Sequence, residues 1–151
     1  MKLLLHQCED IDEPEVEIRF TTITPEIQKV VQYIEGYRQY LRGEDRGGIQ
    51  YKIRINDIYY IEIVDKKTLI YTKDDAFQSD LKLYQLLDQL RTYNFVQISK
   101  ARILNIDTLT SVRYLINSRM EATLINGDKV EVSRTYIPQL KQALYDGGIS
   151  L

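Results

Sequence analysis

The chain has little of what most enzyme and metal sites require. It contains one histidine, His6, and one cysteine, Cys8, among 151 residues, and both lie near the N-terminus. A histidine-activated nucleophile needs both partners at one site, and a structural zinc site needs about four ligands. We therefore expect no catalytic residues, no metal site and no cofactor, and the chain is not predicted to be an enzyme.

Disulfide pairs and long apolar runs are missing as well. A single cysteine excludes an internal disulfide, which is typical of proteins from a reducing compartment. The apolar run near the start, Leu3–Leu5, is too short for a secretory leader, and no stretch approaches the roughly 18 apolar residues of a membrane helix. These absences predict a cytoplasmic protein without membrane insertion.

Neither sign of charge is in large excess, since the net charge is −2, but the charged residues are distributed unevenly along the chain. Residues 1–48 carry 6 Lys/Arg against 10 Asp/Glu, whereas residues 91–151 carry 8 against 5. Phosphate binding needs only local positive charge, so the C-terminal part is better suited to nucleic acid. Ordinary surface charge would explain the same asymmetry.

The first 47 residues predict one strand and one helix. Apolar and charged residues alternate over 16–21, as they do in a half-buried strand. Thr24 and Pro25 are typical of a helix start, and apolar residues recur at helical spacing from Ile27 onward, which predicts a helix over 25–42. The glycine-rich stretch 43–48 predicts a linker or a long turn.

From residue 49 the pattern changes to β structure. The Asn126-Gly127 pair is a strong signal for a hairpin turn. A helix is predicted over 83–90, with Ser79 as its N-cap, and a final helix over 135–145 that stops at Gly147-Gly148. Strands are predicted at 49–55, 58–64, 69–72, 95–98, 109–115, 119–125 and from 130 onward. The expected fold is mostly β with flanking helices (α+β), divided into an N-terminal unit, 1–47, and a second unit, 48–151.

Four short blocks in this order carry a resemblance to a known family. They are IYYIE at 58–62, FVQISKARILNI at 95–106, LING at 124–127 and VSRTY at 132–136. Together they resemble the LytTR family of bacterial DNA-binding domains, over about residues 48–146. The resemblance implies an elongated, mostly antiparallel β fold in which loops and strand ends, rather than a recognition helix, enter successive major grooves of double-stranded DNA. It also implies a stand-alone transcription regulator.

Three places in the family's pattern contact DNA, and the resemblance assigns them to three segments of this chain. The segments are the hairpin at 65–68, the residues after the FVQI strand and the residues before the last helix. The corresponding DNA-binding residues are Lys66, Lys67, Thr68, Ser99, Lys100, Arg102, Ser133 and Arg134. Some relatives have a base-reading histidine in the hairpin and asparagine at the position of Lys100, so base preference does not transfer.

The side-chain chemistry agrees with this assignment. The planar guanidinium of Arg134 matches guanine O6 and N7, and serine hydroxyls suit phosphate oxygens. Lys73 and Arg119 are looser candidates for backbone contact, and any of these cations could instead be an ordinary solvated side chain. Asn105 is expected to cap or turn the backbone rather than read a base.

Two questions stay open from the sequence. A non-catalytic protein-interaction domain of the same fold, which does not bind DNA, is the alternative function. The helix at 25–42 either packs on its own domain or pairs with its twin in a homodimer, and we favour dimerisation or partner binding over packing on its own domain. Control by a regulatory partner protein is implied but the partner is not identified.

Overall fold

A computed structural model describes residues 1–146 of the chain. Within these residues, antiparallel strands predominate and helices flank them, so the predicted fold class is confirmed. The elements in chain order are α1 (Pro25–Arg38), β1 (Tyr40–Glu44), β2 (Gln50–Arg54), β3 (Tyr60–Val64), β4 (Lys67–Tyr71), β5 (Ala76–Ser79), α2 (Leu83–Leu90), β6 (Phe95–Ser99), β7 (Arg102–Asn105), β8 (Leu109–Tyr114), β9 (Met120–Leu124), β10 (Lys129–Val132) and α3 (Ile137–Asp146).

The strands form two antiparallel sheets. The larger sheet has seven strands in the order β2-β1-β5-β4-β3-β7-β6, and the smaller has three in the order β10-β9-β8. Neighbouring residues of β7 pack in two different hydrophobic cores, because successive side chains of a strand point to opposite faces. Ile103 packs with the leucines of α2, whereas Leu104 packs with the small sheet and α3. The large sheet therefore has a helix-covered core on one face and the small sheet on the other.

The predicted turn at Asn126-Gly127 is confirmed between β9 and β10. Gly127 has φ +89°, a conformation that side chains rarely adopt, and Asn126 Oδ1 accepts a hydrogen bond from Asp128 N at 3.0 Å. The predicted helix 83–90 is also confirmed, with its apolar residues Leu83, Leu86 and Leu90 buried. The predicted N-cap role of Ser79 is wrong, because Ser79 ends β5 and its Oγ accepts a hydrogen bond from Leu81 N, while the helix begins at Leu83 after Lys82.

Two predictions for the N-terminal part are wrong. Residues 16–21 form no strand, since nothing pairs with them, and Val16 and Phe20 remain 69% and 51% exposed. The helix predicted over 25–42 ends early, at Arg38, because Tyr40–Glu44 form β1. Residues 45–49 make the turn from β1 into β2, which agrees with the long turn, and not the linker, of the two alternatives for 43–48. Glycine at position 43 is required in the sheet, because a Cβ there would lie 2.6 Å from Ile53 Cδ1 and 2.7 Å from Phe77 Cβ.

The final helix is present, although a short 3₁₀ turn over Arg134–Tyr136 precedes α3. Its predicted stop at Gly147-Gly148 lies outside the described residues. Among residues 1–146, no helix has the length and apolar character to cross a bilayer.

Helix α1 packs on the large sheet of its own chain. Gly36 is buried against Asn56, whose Nδ2 donates a hydrogen bond to Tyr33 O at 2.8 Å. The Arg54 guanidinium lies 4.0 Å from the centre of the Tyr37 ring, a cation–π distance. The helix thus contacts its own domain, although Tyr33 and Tyr37 remain more than half exposed.

Candidate nucleic-acid interface

The first predicted contact segment is the hairpin between β3 and β4. Its two turn residues, Asp65 and Lys66, have φ of 50° and 65°, which gives the tight turn that matches the strand twist. Lys66 and Lys67 are exposed at the tip. Thr68 is only 7% exposed and pairs with Ser79 of β5, so its side chain belongs to the interior of the sheet.

The second segment lies directly beside this hairpin. Ile63 N donates a backbone hydrogen bond to Ala101 O at 2.9 Å, which holds the β6–β7 turn against the end of β3. Ser99 Oγ accepts a hydrogen bond from Ala101 N at 3.1 Å and shapes this turn. Lys100 stands at the tip and is exposed.

The third segment is joined to the second by another backbone bond. Ser133 N donates to Ile98 O at 2.9 Å, so the chain before α3 lies beside the end of β6. Arg134 follows at the first position of the 3₁₀ turn and is exposed. The structure thus brings the three predicted segments together at one edge of the protein. We call the four exposed cations Lys66, Lys67, Lys100 and Arg134 the basic edge.

The charges of the basic edge are not neutralised by the protein. Across residues 1–146, none of these four side chains forms a salt bridge. Elsewhere arginines are paired: Arg113 with Glu121 at 2.9 Å and Arg119 with Glu131 at 2.6 Å. The positive charge at the basic edge is therefore free to interact with an anionic partner.

Arg102, in contrast, is engaged within the protein. Its Nε and Nη2 lie 2.8 Å and 2.6 Å from Glu62 Oε1, and its Nη1 donates to Glu131 O at 3.4 Å. Both partners of the ion pair are largely shielded from solvent, with 30% of the arginine and 19% of the glutamate side chain exposed. The pair links β7 to β3 and reaches β10, which places it behind the basic edge.

The predicted role of Asn105 is confirmed. Its side chain is buried, its Nδ2 donates to Ile58 O at 2.8 Å, and its Oδ1 accepts from Asp107 N at 3.0 Å. Asn105 thereby caps the turn after β7 and anchors it to the chain before β3.

A groove beside the basic edge contains residues that the sequence did not single out. It lies between the β3–β4 hairpin and the start of α2. Its polar lining includes Lys66, Lys67, Lys82, Tyr84, Gln97 and Lys100. Lys82 comes close to the hairpin only because β4 pairs with β5, with Thr68 opposite Ser79, and no local sequence pattern shows that contact. We call this the α2 groove.

The opposite end of the same strands carries mixed charge with a small acidic excess, because Lys52, Arg54 and Lys73 lie among its carboxylates. Four aspartates line an open groove there: Asp57, Asp74, Asp75 and Asp107. Lys73, one of the looser candidates, lines this groove too and is thus remote from the basic edge. At the same end, burial raises the pKa of Tyr60 to about 12, with a smaller effect from the Asp128 carboxylate.

Within the described part of the chain, no cluster of His, Cys, Asp and Glu could hold a metal ion.

Comparisons with known proteins identify the family. The LytTr DNA-binding domain model matches residues 49–145. The sensory transduction protein LytT of Bacillus cereus is 32% identical over 92 residues, covering 61% of this chain and 37% of that protein. The transcriptional regulatory protein YpdB of Escherichia coli K12 is 24% identical over 92 residues, covering 60% of this chain and 38% of YpdB.

The similarity to these curated relatives thus spans less than two fifths of their length. A solved LytTr DNA-binding domain from Bacillus cereus has the same fold, with a TM-score of 0.64 at 20% identity, covering 70% of this chain and 96% of that one. The family match covers more than half of the chain and includes all three segments of the predicted site. The chain therefore belongs to the LytTr DNA-binding domain family.

Proposed function

We propose that this protein binds double-stranded DNA in a sequence-specific manner through the basic edge and regulates transcription in the bacterial cytoplasm. One observation carries the proposal. Three segments distant in sequence are held side by side by the Ile63–Ala101 and Ser133–Ile98 hydrogen bonds, and each presents an exposed cation without an acidic partner in residues 1–146. Membership of a family of DNA-binding domains and relatives named as regulators support it.

The residues of the site divide by chemistry. Arg134 has a planar fork of donors that fits O6 and N7 of guanine, so it is our candidate for base reading. The lysine ammonium groups are point charges, suited to phosphates or to a single acceptor on a base edge. Ser99 and Ser133 flank these cations, and their hydroxyls can donate to phosphate oxygens. With the segments on one edge, we propose that loops and strand ends enter successive major grooves along one DNA face.

Thr68 and Arg102 contribute indirectly in this proposal. Thr68 is buried in the sheet, and the Arg102 guanidinium is occupied by Glu62. Both hold the strands whose tips carry the lysines. We therefore assign them to positioning of the basic edge rather than to direct DNA contact.

The test starts from duplexes that the full chain selects from a random-sequence library. Arg134→Ala is expected to weaken binding to a selected duplex by about 1–3 kcal/mol and to relax preference at one base pair. Arg113→Ala is the matched control, because Arg113 is equally exposed but paired with Glu121 on the small sheet. Fluorescence anisotropy measures both affinities, and equal affinities for the two variants would remove Arg134 from the site.

Salt dependence gives a second readout for the same proposal. Each neutralised phosphate is expected to lower log K by about 0.9 per decade of salt. A flat salt response would contradict contact through the lysines. Failure of the full chain to enrich any duplex would favour the alternative, a protein-interaction domain of the same fold.

We further propose that residues 1–47 contribute to a homodimer. Part of this segment, β1 (Tyr40–Glu44), also belongs to the large sheet of its own chain. Val16, Phe20 and Val31 line one open groove and are 69%, 51% and 39% exposed. Charged residues also line this groove: Glu13, Glu15, Glu17, Glu35 and Arg38. A two-fold axis would let the apolar part of the groove meet its own copy and would present two basic edges to paired half-sites. Control by a regulatory partner protein also remains a proposal.

Sedimentation velocity tests the dimer. The wild-type chain should sediment as a dimer, and Val31→Lys should shift it to monomer, because a charge would be placed in the apolar contact. Lys2→Ala, a change at an exposed position outside the groove, should leave the dimer intact. A wild-type monomer at the concentrations used for DNA binding would disprove the dimer without affecting the DNA-binding proposal.

A further inference from the structure

We propose that the α2 groove holds a backbone phosphate of the bound duplex, and that Lys82 is a further DNA-binding residue. This inference rests on the proposed function and extends it. The DNA interface would then continue from the three loops onto the start of α2. Neither the family resemblance nor the sequence patterns assign a contact to this element.

Local structure fixes the position of Lys82. After β5, Ser79 Oγ accepts a hydrogen bond from Leu81 N at 3.2 Å and turns the chain toward α2. Lys82 N then donates to Gln85 Oε1 at 2.8 Å, which defines the start of the helix. The backbone at Lys82 is therefore ordered, and only its flexible side chain has to adjust to a ligand.

The groove concentrates uncompensated positive charge. Lys66, Lys67, Lys82 and Lys100 all line it, and none of them forms a salt bridge within residues 1–146. The single carboxylate in the lining is Asp80, which pairs with Arg42 at 3.5 Å. Four ammonium groups around one groove repel each other, and an anion placed among them would remove that repulsion.

The rest of the lining suits a phosphodiester. The hydroxyl of Tyr84 and the amide of Gln97 are neutral donors, whereas Ile63 and Leu87 provide an apolar wall. Three of the four lysines belong to the basic edge, so a DNA strand that lies on that edge would also pass the groove. Phosphates are the same at every base pair, so a lysine that contacts a phosphate is expected to contribute equally for every sequence.

The experiment compares Lys82→Ala with wild type on two duplexes, one selected by the protein and one unrelated. Lys82→Ala should weaken binding to both duplexes equally, by roughly 3- to 10-fold, and should lower the salt slope by about 0.9. Lys82→Arg should restore most of the affinity, because it keeps the charge. Lys73→Ala, at the acidic end of the strands, is the matched control and should bind like wild type.

The outcomes separate this inference from the proposed function. If Lys82→Ala binds with unchanged affinity and unchanged slope while Arg134→Ala is weakened, the phosphate site is disproved and the basic edge stands. If the loss is confined to the selected duplex, Lys82 reads a base and the phosphate assignment is wrong. If the full chain enriches no duplex from the library, the proposed function itself fails. Thermal melting of each variant verifies that this exposed substitution leaves the fold intact.

Discussion

The two ends of β3, β4 and β7 carry different sets of charged side chains. At one end the β3–β4 and β6–β7 turns carry Lys66, Lys67 and Lys100, without salt bridges in residues 1–146. At the other end the same strands begin or finish beside four aspartates: Asp57, Asp74, Asp75 and Asp107. One end of the sheet therefore has positive charge without salt bridges, whereas at the other end the four carboxylates lie among three cations, Lys52, Arg54 and Lys73. The chain as a whole carries a net charge of only −2.

This difference shows why the net charge is a poor guide to the partner of this protein. The Debye length at physiological salt is about 8 Å, so a duplex at one end of the sheet responds mainly to the charges near it. We expect the positive end to attract phosphates, and the mixed charges of the other end to attract them less, which would disfavour binding in the reversed orientation. We therefore expect the uneven charge of the sheet to affect the orientation of the bound duplex as well as the affinity for it.

Charge reversal at the basic edge is expected to have the largest effect. Lys67→Glu with Lys100→Glu should weaken binding to a selected duplex by roughly 100-fold or more, because two contacts are replaced by repulsion. The matched control is Lys52→Glu with Lys73→Glu, which changes the net charge equally but lies at the acidic groove. Anisotropy titrations at one salt concentration measure both.

The control pair should stay within about threefold of wild type, the residual effect of a more negative chain. Equal losses in the two double variants would mean that binding depends on net charge alone. In that case the comparison between the two ends would have no functional meaning.

Asn105→Ala is expected to have an intermediate effect, and on stability rather than on binding. The substitution leaves the Ile58 carbonyl and the Asp107 amide without their present partners, which should lower the free energy of unfolding by about 1–3 kcal/mol. Urea denaturation measures this loss. At temperatures where the variant is folded, its DNA affinity should equal that of wild type, because Asn105 lies at the far end of β7 from Lys100. Reduced affinity of the folded variant would contradict the separation of the two ends.

Hairpins and helices with local signals could be predicted from the sequence. The Asn126-Gly127 turn, the leucines of α2 and the capping role of Asn105 depend on residues close in the chain, and each is confirmed. Strand β1 could not be predicted, because Gly43 is favoured there only by the close approach of Ile53 and Phe77. Conversely, the alternation over 16–21 predicts a strand, but no pairing partner exists for it within residues 1–146.

The candidate site shows the same limit. The exposed tips at Lys66 and Lys100 follow from turn positions that the family pattern marks. The ion pair of Arg102 with Glu62 joins residues 40 apart in sequence, and the position of Lys82 depends on the pairing of β4 with β5. Contacts of this kind form only in the tertiary fold. The sequence alone therefore predicts which segments form the site, but not which partner each side chain contacts.

The smallest expected effect concerns the pH dependence of stability at the acidic end. Burial raises the pKa of Tyr60 to about 12, above its ordinary value of 10.0, and the Asp128 carboxylate adds to this. The unfolded chain therefore loses this proton first, and stability should fall as pH rises from 10 toward 12. The ring is only partly buried, so solvent screening limits the loss to about 1 kcal/mol or less. Urea denaturation across this range should show a weaker decline for Tyr60→Phe, whereas Tyr145→Phe, at an exposed position, should decline like wild type. An identical decline in both variants would mean that the folded protein does not hold the Tyr60 proton more tightly than the unfolded chain.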